Sequence, residues 1–599
     1  MKLLLRSSGS VLAVLGVLLA AVPATSAAAA TTSQNLIVNG NAEAGYCTKD
    51  WGAASTVPGW TVESGSPNVM CYTPDEFRLP SGSAPGTAFF APGNQGDGAM
   101  TQTVDVSSAA RAIDNGGVSY DLRGWLGGWT GYWGHVTVSL HFQGADGTEL
   151  DSADLPTVTS SDRESTTEFL QRSTTGDVPA GTRAIQVQVQ FQQTGHETGY
   201  LDNLSLTLDT PVKAKKLTPP ASKVPGYDHV FTVMMENTDY SQIMNDPDDT
   251  PYIHGLMDQG ALMTNYHAVY HPSDENYLAV SGGDTYTSGA TYWPNINSPQ
   301  RNLGDTVEAA HKTWKAYEQG MGTPCNTSKD NDGEYMPDDA PFINYTDISD
   351  DPDRCAAHLF DTSQLATDLQ SADTTPNFSW IAADDYNDGE GSGNGSSKSL
   401  QTQDNWLRDT LEPILSSPAW TDQKSLLILT WDESQNEAAN HVATIVVGSQ
   451  GTVQPGTSST ARYDHYSTAR TIEAALHLPG LTANDTYATP LNDAFDPPVT
   501  TDPAPLSSST PTVSDGGSIT IDYTIPLTAD VSSTNWIGIY PAGADATQRS
   551  WLTWQYAPNA NGALTFGTGS LKGPGDYDVY LLANDGYTVI SGPYRITVN

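Results

Sequence analysis

Ser273 stands in the run Tyr270-His-Pro-Ser-Asp-Glu-Asn-Tyr-Leu-Ala-Val280, with His271 two residues before it and Asp274 and Glu275 directly after. Pro272 favours an extended residue before it and a turn, so Ser273 to Glu275 read as the first turn of a helix running through Tyr277, Leu278 and Val280. A serine there is either a plain N-cap or a hydroxyl presented beside free backbone N–H groups, where a phosphate is electrostatically favoured. Acidic company decides between the two. Glu236 and Asn237 follow the apolar run His229-Val-Phe-Thr-Val-Met-Met235, Asp384 and Asp385 follow Phe378-Ser-Trp-Ile381, and Asp432 and Glu433 follow Leu426-Leu-Ile-Leu-Thr-Trp431. Any one pair could simply cap a strand end. Hard oxygen donors converging from three strands would repel one another unless a cation neutralised them, so the expected cofactor is a divalent metal, its identity left open.

Near-continuous apolar runs of this kind, with helical stretches between them, belong to a parallel sheet covered on both faces, and ligands bind such sheets at the carboxyl ends of the strands. On either side the pattern changes. Val136-Thr-Val-Ser-Leu-His-Phe142 and Ile185-Gln-Val-Gln-Val-Gln-Phe191 alternate with period two, as do Ser518-Ile-Thr-Ile-Asp-Tyr523 and Trp536-Ile-Gly-Ile-Tyr540, which reads as antiparallel β-sandwiches. Pro-rich stretches separate the three parts. The expected organisation is a signal peptide over residues 1–30, a β-sandwich over 31–209, a linker over 210–226, a catalytic domain over 227–496, a second linker over 497–511 and a final sandwich over 512–599.

Composition narrows the function. With 26 Lys and Arg against 69 Asp and Glu, the formal charge of −43 repels a phosphate backbone and an anionic bilayer alike, which excludes nucleic acid as the main partner. Lys2 and Arg6, the apolar run Val11 to Val22 and the small residues around Ala24 and Ala27 have the order of a secretory signal, and no later stretch is long and apolar enough to span a bilayer, so a secreted, extracellular protein is expected. Cys47 with Cys71 and Cys325 with Cys355 read as two local disulfides, although four cysteines allow three pairings.

Five blocks in order, Val230-x-x-x-Met-Met-Glu-Asn237, His271-Pro-Ser-x-x-Asn-Tyr277, Thr430-Trp-Asp-Glu433, Asn440-His-Val-x-Thr-Ile-Val-Val-Gly448 and His465-Tyr-Ser-x-x-Arg-Thr-Ile-Glu473, resemble the bacterial phosphoesterase family of acid phosphatases and phospholipases C, within the alkaline-phosphatase-like superfamily. The resemblance implies a central α/β/α sandwich and assigns roles. Glu236, Asn237, Asp432 and Glu433 match metal ligands, and Ser273 matches the nucleophile that also touches the metal. His441 and His465 match positions near the phosphate, as proton donors or further ligands, with a structural role as the alternative; Asp384, Asp388, His271 and Asn276 form a candidate additional site. Two departures stand out: Asp274-Glu275 replaces a usual Leu-Pro, and Glu390 stands where a histidine is common. The first sandwich opens on Asn35-Leu-Ile-Val-Asn-Gly-Asn-Ala-Glu43 and closes on Tyr200-Leu-Asp-Asn-Leu-Ser-Leu206, which resembles galactose-binding-like jelly rolls, and Trp125, Trp129, Tyr132 and Trp133 could then form a carbohydrate platform. The last domain reads as immunoglobulin-like. The expected function is a secreted, metal-dependent phosphoesterase acting through a phosphoseryl intermediate, most simply on monoesters. The alternatives are a phospholipase C-type phosphodiesterase and a carbohydrate-binding or adhesion protein with an inactive middle domain.

Overall fold

A computed structural model describes residues 34–599 except 74–75, 82, 94–95, 193–198, 287–300, 329–334, 391–396, 438, 496–505, 509, 526–531, 545, 548–549 and 560. The expected signal peptide and most of the second linker lie outside the described residues. Among those described, no helix is long and apolar enough to cross a membrane.

The middle of the chain builds an eight-stranded sheet from β1 (His229–Met235), β2 (Ala261–Met263), β3 (Trp314–Glu318), β4 (Leu359–Asp361), β5 (Phe378–Ala382), β6 (Ser425–Trp431), β7 (Thr444–Gly448) and β8 (Thr457–Ser459), in the order β4-β3-β5-β1-β6-β7-β2-β8. Every residue of β1, β5 and β6 is buried, so both faces of the sheet centre are covered, as the unbroken apolar runs require. β5, β1 and β6 are parallel neighbours, with Val233 opposite Ile381 on one side and Met235 opposite Trp431 on the other. Their carboxyl ends therefore share one edge. β7 runs antiparallel to β6 and to β2, which brings the residues just before it, Asn440 and His441, towards that same edge.

The flanking parts are β-rich, which makes the chain a multidomain α/β protein with appended sandwiches. Before the middle domain, two five-stranded antiparallel sheets enclose their own apolar core. His135–Gln143 and Ala184–Gln192 pair in register and bury alternate residues, as their period-two pattern demands. After it, a three-stranded and a five-stranded sheet enclose a smaller core.

Three expectations change here. The 210–226 stretch is tied down rather than free, because Asn492 accepts from Lys223 N and donates to Ala221 O. Leu506–Ser507, read as linker, pairs with Asp522 and Tyr523 as an edge strand of the last sandwich. The four aromatics do not make one platform: Trp125 is packed with Met70, Phe89, Phe169 and Tyr200, Trp129 is partly buried beside it, and only Tyr132 and Trp133 are exposed. A tryptophan on an inward-facing strand position fills the core before it can reach a sugar. Cys47–Cys71 and Cys325–Cys355 are disulfide-bonded.

Candidate active site at the carboxyl edge of the sheet

Glu236 and Asn237 leave β1 exactly where the sheet ends, and Asn237 takes a φ of 44°, a left-handed turn that asparagine tolerates better than most residues. That turn aims its amide N–H at Asp432 Oδ1, 2.9 Å away, and its side-chain amide at Glu236 Oε2, 2.7 Å away. Asp432 and Glu433 come from the neighbouring β6, so the strand order alone makes the two acidic pairs neighbours.

Ser273 sits at the head of α1 (Asp274–Gly282) but does not cap it: its backbone is already helical and its hydroxyl accepts no helix N–H. The hydroxyl faces the other way. Ser273 Oγ lies 3.0 Å from Glu236 Oε2 and 3.3 Å from Glu433 Oε1, able to donate to either. Helix α1 is buried from Glu275 to Gly282, with Leu278 and Val280 each contributing about 1.5–3 kcal/mol of apolar burial, which holds the serine against the sheet edge. At its far end Gly283 has φ 73°, and a Cβ there would press on Asp485 and Thr482. Asn276 is a brace, its Oδ1 accepting from Val269 N and Tyr270 N while its Nδ2 donates to Tyr270 O. Helix burial makes the serine the accessible lip of a well whose walls, Glu236, Asp432 and Glu433, are almost wholly buried.

Charge in that well is costly without a counterion. Glu236 Oε2 and Glu433 Oε1 share the one serine oxygen and so lie no more than about 6 Å apart, a separation at which two full charges repel by about 3 kcal/mol at an effective dielectric of 20. Burial first, then the neighbouring Asp432 charge, pushes Glu236 well above the usual carboxylate range; burial and Glu433 do the same to Asp432. Glu236 Oε1 and Asp432 Oδ2 are buried and accept no hydrogen bond. Orphaned, mutually repelling carboxylate oxygens beside an amide and a hydroxyl fit a hard divalent cation.

The histidines divide. His271 Nδ1 contacts Glu433 Oε2, two residues from Ser273, and its side chain is 40% exposed. His441 instead stacks between Tyr240 and His267, with Nε2 on Thr264 O and Nδ1 3.2 Å from Glu437. His465 is fully buried, its Nε2 2.6 Å from Asp432 O and its Nδ1 on the Tyr266 hydroxyl, and burial lowers its pKa to about 4. Both rings thus spend their nitrogens on scaffold groups, so the structure sets them behind the site rather than at the serine. A one-strand pattern cannot reveal which side of the chain a ring faces. Asp384 likewise turns the chain, its Oδ1 accepting from Asn387 N, whereas Asp388 reaches the site's flank through its backbone carbonyl on Glu236 N.

Two contributors carried no assigned role in the sequence. The Tyr277 hydroxyl, one helical turn on from Ser273, acts on the Glu236 carboxyl electrostatically; a serine-to-tyrosine spacing of four on a helix was the available signal. Asp50, from the first sandwich, accepts the Tyr270 hydroxyl at 2.7 Å, while Ala54 N donates to Val269 O and Tyr466 donates to Ala54 O. No sequence pattern links positions 220 residues apart.

The Phosphoesterase family profile matches residues 174–479. A protein of Kluyveromyces lactis described as "Probable acid phosphatase" is 26% identical over 290 residues, covering 46% of this chain and 65% of that one. The phosphate-repressible acid phosphatase of Penicillium chrysogenum is 27% identical over 272 residues, 44% of this chain and 62% of that one. The phosphatidylinositol-3-phosphatase of Mycobacterium tuberculosis is 27% identical over 283 residues, 46% of this chain and 85% of that one. The chain thus spans less than two thirds of the two fungal relatives. With the profile covering just over half of its residues, the chain belongs to the Phosphoesterase family.

Proposed function

We propose that this protein is a secreted, metal-dependent phosphomonoesterase in which Ser273 attacks phosphorus and is transiently phosphorylated. The observation that carries the reading is the orientation of the Ser273 hydroxyl, turned away from its own helix and into Glu236 and Glu433. Names of the relatives, two acid phosphatases and a phosphatidylinositol-3-phosphatase, favour monoesters over diesters. Two disulfides suit an oxidising, exported setting.

Glu236, Asn237, Asp432 and Glu433, with Ser273 Oγ, are the atoms that would hold the cation. When bound, such a cation lowers the pKa of an oxygen nucleophile and offsets charge on the phosphate. The chain supplies the rest. As Ser273 Oγ bonds to phosphorus, the bond from phosphorus to the leaving oxygen breaks, and the hydroxyl proton passes to the carboxylate it faces. Glu433 holds His271 through its other oxygen, which places this imidazole as the proton donor to the departing alkoxide. Water then cleaves the phosphoserine and restores the hydroxyl. The first outcome to measure is dependence on the metal: dialysis against EDTA should lower p-nitrophenyl phosphate turnover at least about a hundredfold, and a divalent ion should restore it. Full activity after such dialysis refutes the metal; hydrolysis of phosphatidylcholine in preference to the monoester refutes the substrate class.

The first sandwich belongs in this scheme as a support. Its segment around Asp50 to Ala54 holds the stretch of chain that carries Tyr270, three residues before the serine. Asp50→Ala should lower kcat about tenfold with little change in KM, since a hydrogen bond to a charged group is worth about 1.5 kcal/mol or more and about 1.4 kcal/mol is tenfold in rate. Unchanged kcat would show that the segment touches the site without positioning it.

A further inference from the structure

We propose that a second hard cation, of the calcium class, binds beside the catalytic well between Asp339, Asp385 and Asp388. One carboxylate oxygen from each lies within 4.8 Å of the other two. Oxygens that share a calcium ion at about 2.3–2.6 Å each can be no more than about 5 Å apart, so the spacing of the three is compatible with a common ion. Independently, Asp388 is 1% exposed, and its Oδ2 accepts no hydrogen bond while Oδ1 takes the Glu390 amide at 2.8 Å. A buried carboxylate oxygen left without a donor costs about 1–3 kcal/mol or more, and a cation is the partner that removes that cost.

Two different pieces of chain supply the ligands. Asp339 ends the short turn Pro337–Asp339, pinned by Trp380 Nε1 donating to its carbonyl at 3.0 Å. Asp385 and Asp388 lie in the loop after β5, pinned by Glu236 N donating to Asp388 O at 3.1 Å. An ion here would therefore staple the loop after β5 to the turn and fix it against Glu236. Position gives it a second effect. Glu390 and Glu236 both act on Asp388 electrostatically, and Asp339 acts on Tyr277, so the ion would stand where the excess negative charge of this chain meets the well. That role, easing the approach of an anionic phosphate, rests on the proposed phosphatase reading; the binding itself does not.

Ion counting separates the two. Chelator-stripped full-length protein titrated calorimetrically with calcium, and in parallel with magnesium and manganese, should bind two ions per chain. Asp385→Asn and Asp339→Asn should each lose one ion or weaken it at least about tenfold, keeping the ion that Asp432→Asn weakens. Circular dichroism checks that each variant is folded; Asp385 sits in a half-buried loop, so that variant serves if Asp339→Asn fails. One ion per chain in the wild type, or two undiminished in both variants, overturns this site and leaves the catalytic reading intact. No ion bound at all overturns both.

Discussion

Ser273→Ala is expected to abolish hydrolysis of p-nitrophenyl phosphate, a loss of at least about a thousandfold, or about 4 kcal/mol of transition-state stabilisation. The magnitude follows from the proposed role of the hydroxyl as the group that bonds to phosphorus, for which methyl is no substitute. The fold should not notice the change. Ser273 gives no side-chain cap to α1, so its removal forfeits none of the roughly 1 kcal/mol that a capping serine is worth. The unfolding midpoint should therefore stay close to that of the wild type, and the four remaining ligands should still bind metal, while activity vanishes. Wild-type-like turnover with the variant would end the assignment, and a large drop in melting temperature would return Ser273 to a structural role.

Asp432→Asn should separate charge from shape. Asparagine preserves the acceptor for Asn237 N–H, bonded at 2.9 Å, and removes only the negative charge from a fully buried position. With a cation present, activity should fall at least about a hundredfold, because the charge that offsets the ion is gone. Without a cation the sign reverses. Stripped of metal, the wild type buries a carboxylate whose Oδ2 has no partner and which Glu433 repels, so the variant should then be the more stable protein by about 1–3 kcal/mol. Thermal melts of both proteins, with and without EDTA, read this directly. A metal-free variant less stable than the metal-free wild type would mean that Asp432 is satisfied by the protein alone.

Local chemistry made some of this legible before any coordinates. Unbroken apolar runs ending in Glu236-Asn237 and Asp432-Glu433 announced buried strands with acidic ends, because a strand covered on both faces has no place for polar alternation. A serine at a helix start can be a cap or a nucleophile; its acidic company and the family resemblance gave Ser273 the second role, and the direction of its hydroxyl supports it. His441 and His465 were beyond reach for a related reason. A ring's partners come from other segments, here Thr264, Glu437, Tyr266 and the Asp432 carbonyl, and a linear pattern carries no information on them.

Residue types and their order by themselves determined the family, the sheet that carries the site and the acidic groups at its edge, because hydrophobic periodicity and short motifs are written locally along the chain. Tertiary structure alone decided which of those groups meet: that Asp384 turns a loop while Asp388 flanks Glu236, that His271 and not His465 faces the serine side, and that Asp50 from another domain braces Tyr270. Contacts between distant segments depend on how strands order and domains dock, and those choices are settled by the packing of the whole chain rather than by any stretch of it.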